Sequence, residues 1–94
     1  MNLEKFLEGK TIKNRGEIFE LLRKNKNWSR KKAVDEFNNN YERKISFMTL
    51  YRIERKMSIR PQMKTLKLLL KLYDVDENEY YKFLSDHNLS FFSE

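Results

Sequence analysis

Residues 45–55 read Ile45-Ser46-Phe47-Met48-Thr49-Leu50-Tyr51-Arg52-Ile53-Glu54-Arg55. Ser46 is a residue type that caps helix N-termini, so a helix is predicted to begin there. At about 100° per residue, Leu50, Ile53 and Met57 share one face of that helix. The opposite face carries Met48, Tyr51, Arg52 and Arg55. A short helix with aromatic and arginine side chains facing outward is suited to enter a nucleic-acid groove.

Positive charge is concentrated in two parts of the chain. The 94 residues carry a formal net charge of +6. Residues 10–32 contain nine Lys and Arg against two Glu, and residues 42–71 also contain nine against two. Residues 72–94 contain one Lys against six Asp and Glu, so this end is acidic. The asymmetry favours a surface that binds a polyanion, with the acidic end turned away from it.

What the sequence lacks argues against several classes of protein. It has no cysteine, which excludes disulfides and thiolate metal sites. The segment Met1–Lys5 has no signal-peptide pattern, and the leucine run Leu68–Leu70 is far too short to span a membrane. His87 is the single histidine, and no catalytic spacing or glycine-rich phosphate loop is present. We therefore expect a cytoplasmic protein that is no enzyme and uses no membrane, metal, cofactor or small-molecule ligand.

Helical periodicity with few Gly and Pro residues predicts an all-α fold. Residues 1–13 are expected to form a short N-terminal extension, with a helix at residues 2–8 that Gly9 closes. Residues 14–94 are expected to form one domain of five helices. Their predicted starts are Asn14 with Glu17 as capping-box partner, Ser29, Ser46, the residues after Pro61, and Asp76 with Glu79.

Three segments carry a further pattern, in order along the chain. They are Leu22–Ala33, Ile45–Arg55, and the run from Pro61 through Thr65-Leu66 to Leu69–Val75. Together they resemble the lambda-repressor-like family of DNA-binding domains, also called the Cro or xenobiotic-response-element type, over roughly residues 15–84. The resemblance implies that the second and third of the five helices form a helix-turn-helix, with the third as recognition helix.

The turn between these two helices is enlarged relative to the family pattern. Ala33 and Ile45 lie about seven residues further apart than a tight turn requires, with residues 38–44 as the surplus. Either the second helix is extended or the turn is a loop. Arg43 and Lys44, within this insertion, either reach phosphates or belong to a solvated loop.

The candidate base contacts also depart from the family. Phe47 and Met48 stand where the family usually carries polar base-reading groups. They could touch thymine methyl groups or pack against the insertion, and for Phe47 we favour packing. Arg52 either reads guanine or contacts a phosphate, and Tyr51 either bonds a phosphate or flanks a base.

The resemblance implies phosphate contacts and one structural ion pair. Arg30, in the first turn of the second helix, would contact a phosphate near the helix N-terminus. The other phosphate candidates are Arg43, Lys44, Ser46, Thr49, Arg55, Lys56 and Arg60, and for the arginines and lysines the alternative is a merely exposed side chain. Arg23 and Glu54 would pair and tie the first helix to the recognition helix, with Trp28 in the core.

These features predict a sequence-specific regulator of transcription that binds double-stranded DNA, repressor-like and of bacterial or phage origin. Because one small domain recognises a half-site weakly, we expect a homodimer. Phe91 and Phe92 either form the dimer surface or fold back onto their own domain. The alternatives are a protein-interaction module on the same fold, such as an antitoxin or inhibitor, and a non-specific or structured-RNA binder.

Overall fold

The structure is a computed structural model, and it describes residues 1–55 and 61–89. These residues contain six α-helices. The helices are α1 Leu3–Phe6, α2 Arg15–Asn25, α3 Arg30–Asn40, α4 Phe47–Arg55, α5 Met63–Leu72 and α6 Glu77–Asp86. These ranges contain no strand, so the all-α prediction is confirmed for them. None of the six helices is long and apolar enough to cross a membrane. Lys56, Met57, Arg60, Phe91 and Phe92 lie outside the described residues.

Polar side chains cap the helices at the predicted starts. The Asn14 side-chain oxygen accepts a hydrogen bond from the amide of the third residue after it at 3.3 Å, and α2 follows. The Ser29 and Ser46 hydroxyls each accept the equivalent bond at 3.1 Å, and they precede α3 and α4. Each cap satisfies an amide that has no partner inside the helix. Local sequence therefore sets where α2, α3 and α4 begin.

The N-terminal segment belongs to the core and is more than an extension. Leu3 and Leu7 are buried, and the Leu3 amide donates to the Glu79 carboxylate on α6 at 2.8 Å. The predicted capping box of Asp76 with Glu79 is therefore wrong. Asp76 caps α6 through the Asn78 amide at 2.7 Å, whereas Glu79 serves the first turn of α1. The N-terminal segment therefore packs against α6.

Every helix contributes to one hydrophobic core. Fully buried members include Leu3, Ile18, Phe19, Leu22, Ala33, Phe37, Leu50, Leu66, Leu69 and Leu84. Trp28, predicted to be core, is half-buried, with its ring 6.3 Å from that of Tyr73. The core thus holds α4 from the side of its apolar stripe and leaves the other side toward solvent.

The insertion between α3 and α4 is partly helix and partly an ordered loop. Asn38–Asn40 are helical, so the predicted connection at residues 38–44 begins too early. The Asn38 side chain accepts from the Ile45 amide at 2.8 Å and donates to the Ile45 carbonyl at 2.9 Å. Lys44 donates to the Asn38 and Tyr41 carbonyls at the end of α3. These bonds fix the loop that leads into α4.

Candidate nucleic-acid interface

The outward side of α4 carries the predicted base contacts. Leu50 and Ile53 are buried on its inner side, as the apolar stripe predicted. Phe47 and Met48 are 50% and 48% exposed in the first turn. Arg52 is exposed and forms no salt bridge to a described residue. The helix therefore presents two apolar side chains and one uncommitted guanidinium on its exposed side.

Phe47, for which we favoured packing against the insertion, is not buried. Half of its surface is exposed to solvent. Tyr41 of the insertion packs edge-on against Phe37 of α3, at 5.1 Å between ring centroids. Phe47 and Met48 are thus available to a binding partner. Single exposed apolar side chains are common on protein surfaces, whereas large adjacent ones are unusual.

A buried ion pair joins α2 to α4. Arg23 donates to both carboxylate oxygens of Glu54, from Nε at 2.7 Å and from Nη2 at 3.0 Å. The Glu54 side chain is fully buried, and the hydrogen bond to it raises the pKa of Arg23 despite burial. Arg23 also donates to the Trp28 carbonyl at 2.7 Å. The predicted pair is confirmed, and it fixes α4 against the end of α2.

Arg30 is tied into the same cluster. Its Nε donates to Glu54 at 2.9 Å, and its guanidinium lies 5.1 Å from the centre of the Tyr51 ring. Only 18% of its side chain is exposed. Arg30 therefore supports the buried carboxylate and holds Tyr51, and its predicted phosphate contact would use the remaining Nη groups.

The remaining phosphate candidates are spread around α4. Arg43 Nε donates to the Thr65 hydroxyl at 2.8 Å, and Lys44 is held by the backbone carbonyls at the end of α3. Ser46 and Thr49 share a hydroxyl–hydroxyl bond at 3.0 Å at the start of α4. Arg55 is exposed at the end of the described helix. Lys56 and Arg60 fall outside the described residues. The structure brings five of the seven candidates around α4, and the cationic groups of three of these five, Arg43, Lys44 and Arg55, already have protein partners.

Two residues that position the site were not anticipated from the sequence. Gly16, in the first turn of α2, lies so close to α4 that an added Cβ would be 2.5 Å from the Ile53 carbonyl oxygen and 2.6 Å from that of Glu54. Glycine has no Cβ, so it allows two backbones to approach this closely. Glu20, also on α2, lies within 4 Å of Arg30 and Arg55. The signal for Glu20 was its i, i+3 and i, i+4 spacing to Arg23 and Lys24.

No protein-family model, curated protein or solved structure matches this chain. The exposed side of α4 and the charges around it are the features of the described residues that bear on function.

Proposed function

We propose that this chain is a double-stranded DNA-binding regulator of transcription with a lambda-repressor-like helix-turn-helix. In this proposal α3 and α4 are the two helices of the motif, and α4 enters the major groove. The observation that carries it is the two-sided character of α4. Leu50, Ile53 and Glu54 are buried on one side of the helix. Phe47, Met48 and Arg52 are exposed on the other.

The exposed side of α4 has chemistry that matches base edges. The major groove is about 12 Å wide and admits an α-helix. An arginine can donate two hydrogen bonds to guanine, and apolar side chains can touch the methyl group of thymine. Arg52 supplies the first kind of contact, and Phe47 and Met48 supply the second. Sequence preference would therefore come from the first two turns of α4.

The geometry of the supporting helices also fits the proposal. A recognition helix must be held rigidly if its side chains are to meet base edges in register. Arg23 and Arg30 hold Glu54 with three hydrogen bonds of 2.7 to 3.0 Å, and Gly16 allows α2 to touch the α4 backbone. Asn38 and Lys44 hold the two ends of the insertion together, since Asn38 donates to the Ile45 carbonyl and Lys44 to the Asn38 carbonyl. The contacts of Arg23, Arg30 and Gly16 hold the inner side of α4, and Phe47, Met48 and Arg52 on its outer side remain exposed.

A homodimer on a two-fold site belongs to the proposal, because a single small domain contacts few base pairs. Bound at a promoter, such a dimer would repress transcription by occlusion. Sedimentation of the free protein and of its DNA complex at micromolar concentration tests the stoichiometry. A wild-type protein that stays monomeric on its DNA site would contradict this part of the proposal and leave DNA binding itself intact.

Selection of bound duplexes from a random pool tests the proposal directly. We expect wild-type protein to enrich a defined motif, and Arg52→Ala to lose discrimination at one position of that motif, at a cost of about 1–3 kcal/mol on the selected site. Lys82→Ala is the matched control, since it removes one cation from α6, where Lys82 pairs with Asp86 at 2.6 Å. A pool without enrichment would contradict sequence-specific binding.

A protein-interaction module on the same fold is the second candidate. The half-exposed Phe47 and Met48 favour it, because adjacent apolar side chains also serve as the centre of protein interfaces. The two functions differ in salt dependence: DNA binding weakens steeply with salt, whereas an apolar protein interface does not. Duplex binding that is absent at low salt would favour this second candidate.

A further inference from the structure

A single carboxylate on α2 is shared by cations from three helices. The Glu20 oxygen Oε2 lies 3.4 Å from Lys24 Nζ, 3.4 Å from Arg55 Nη2, 3.6 Å from Arg30 Nη2 and 3.9 Å from Arg23 Nη2. Arg30 is the first residue of α3, and Arg55 is the last described residue of α4. The Glu20 side chain is 14% exposed. Both elements of the proposed helix-turn-helix thus direct an arginine at one point occupied by an anionic group.

The two carboxylates of this cluster are held very differently. Glu54 receives hydrogen bonds of 2.7, 2.9 and 3.0 Å, which are the lengths of strong charge-assisted bonds. All four cation distances to Glu20 exceed the usual hydrogen-bond range of about 2.7–3.2 Å. Glu20 is therefore held by charge attraction without short hydrogen bonds. Glu54 is a structural member of the cluster, whereas Glu20 can be displaced from its cations.

Space and charge remain for another anion beside Glu20. The cluster of Arg23, Lys24, Arg30 and Arg55 carries two more positive charges than Glu20 and Glu54 neutralise. An open hollow of about 530 Å³ lies next to it, and its charged lining residues are Lys10, Lys24, Arg55, Glu17 and Glu20. Half of the Arg55 side chain is exposed. An incoming anion can therefore reach the Arg55 guanidinium from this hollow, and Arg30, 18% exposed, borders the same Glu20 oxygen.

We propose that Arg30 and Arg55 form one binding site for a backbone phosphodiester of DNA, and that Glu20 is an internal competitor for that site. This inference rests on the proposed function and names the phosphate contact within it. A phosphodiester carries one negative charge and accepts paired hydrogen bonds from arginine, as a carboxylate does. The N-terminus of α3 at Arg30 also favours an anion there. Glu20 keeps the arginines ordered in the free protein and lowers their affinity for phosphate.

The inference predicts that removing the Glu20 charge strengthens DNA binding. In Glu20→Gln, Arg55 and the Nη groups of Arg30 no longer face a competing carboxylate, so affinity for random duplex should rise about tenfold and the salt slope should steepen by about one. The gain should be as large on random as on selected duplex, because phosphate contacts carry no sequence information.

Glu36→Gln is the matched control. It makes the same change of charge on α3, where Glu36 pairs with Lys32 at 3.0 Å and touches neither arginine. We expect at most about a twofold gain from this variant through net charge alone. Circular dichroism shows that each variant is folded. Arg55→Gln in the Glu20→Gln background should abolish most of the gain.

Fluorescence titration of a labelled random duplex with wild type and both variants gives the decision. A gain for Glu20→Gln several times that for Glu36→Gln supports the site. Equal gains, with wild-type binding intact, overturn the site and leave the proposed function standing. A wild-type protein that binds no duplex overturns the proposed function, and the phosphate site with it. If Glu20→Gln does not fold, Arg55→Gln in the wild-type background is compared with Lys82→Gln. The site requires the salt dependence of duplex affinity to be flatter by about one in Arg55→Gln, and equal salt slopes overturn the site.

Discussion

Arg23 and Glu54 meet through two hydrogen bonds of 2.7 and 3.0 Å, so that the end of α2 and the inner side of α4 share one buried ion pair. A second guanidinium, that of Arg30, completes the shell of the carboxylate at 2.9 Å. The position of α4, and with it the direction of its exposed side chains, depends on this arrangement.

Glu54→Ala should lower the free energy of unfolding by about 3–5 kcal/mol, because it leaves the buried Arg23 without its carboxylate. Urea denaturation measures the change. Glu36→Ala, which removes a partly exposed glutamate paired with Lys32, should cost no more than about 1 kcal/mol. Equal losses in the two variants would contradict a structural role for Glu54.

Gly16→Ala should destabilise the protein by about 1–3 kcal/mol, since the added Cβ would overlap the carbonyl oxygens of Ile53 and Glu54. Helix propensity alone predicts the opposite sign, a gain of up to about 1 kcal/mol. The sign of the change in unfolding free energy therefore decides whether α2 and α4 approach this closely. A stabilised variant would rule out the close contact.

Stability should fall above about pH 10. Burial raises the pKa of Tyr73 and Tyr80 above the ordinary value near 10. The unfolded chain then loses these protons at a lower pH than the folded chain does, so the stabilisation is complete below pH 10 and is lost as the pH rises. Each tyrosine contributes a slope of about 1.4 kcal/mol per pH unit.

Urea denaturation between pH 9 and pH 11.5 measures that slope, and Tyr73→Phe should lower it by about 1.4 kcal/mol per pH unit. Neither tyrosine hydroxyl has a hydrogen-bond partner within the described residues, so phenylalanine should be tolerated at neutral pH. A slope that is unchanged in Tyr73→Phe and in Tyr80→Phe would show that other groups cause the alkaline loss.

Replacing thymine by uracil in a selected DNA site should weaken binding where Phe47 or Met48 touches the methyl group. Loss of one buried methyl corresponds to roughly 0.8 kcal/mol, about fourfold in affinity. Met48→Ala should be insensitive to the replacement at its own contact. Uracil placed outside the selected motif serves as the control for altered DNA flexibility. Binding that ignores every replacement would assign the two apolar side chains to another role.

Local sequence was sufficient to predict much of the fold. Asn14, Ser29 and Ser46 are caps whose effect depends on neighbouring amides only, and the apolar spacing of α4 identifies its buried side. The Arg23–Glu54 pair followed from the family resemblance and is confirmed at 2.7 Å. The prediction that α4 contacts DNA bases has no test in the geometry and stays a prediction.

Tertiary contacts between distant segments could not be predicted in the same way. Glu79 has the spacing of a capping box, yet it bonds the amide of Leu3, 76 residues away in sequence. From the sequence, Gly16 is only a residue of low helix propensity. Its role in the close approach of α2 to α4 requires the positions of both helices. The exposed fraction of Phe47 depends on the path of the insertion before it. Asn38 and Lys44 hold that path through hydrogen bonds to the backbone of residues 38–45.

The central claim is that the exposed side of α4 reads double-stranded DNA, and a salt titration against selected and random duplexes tests it most directly. We predict that affinity falls steeply with salt on both duplexes and that the selected duplex binds at least about 10³-fold more tightly at physiological salt. Arg52→Ala should reduce that ratio by about tenfold or more while leaving the salt slope within about one of the wild type. Equal affinity for the two duplexes, or a ratio that Arg52→Ala leaves unchanged, would contradict base reading by α4.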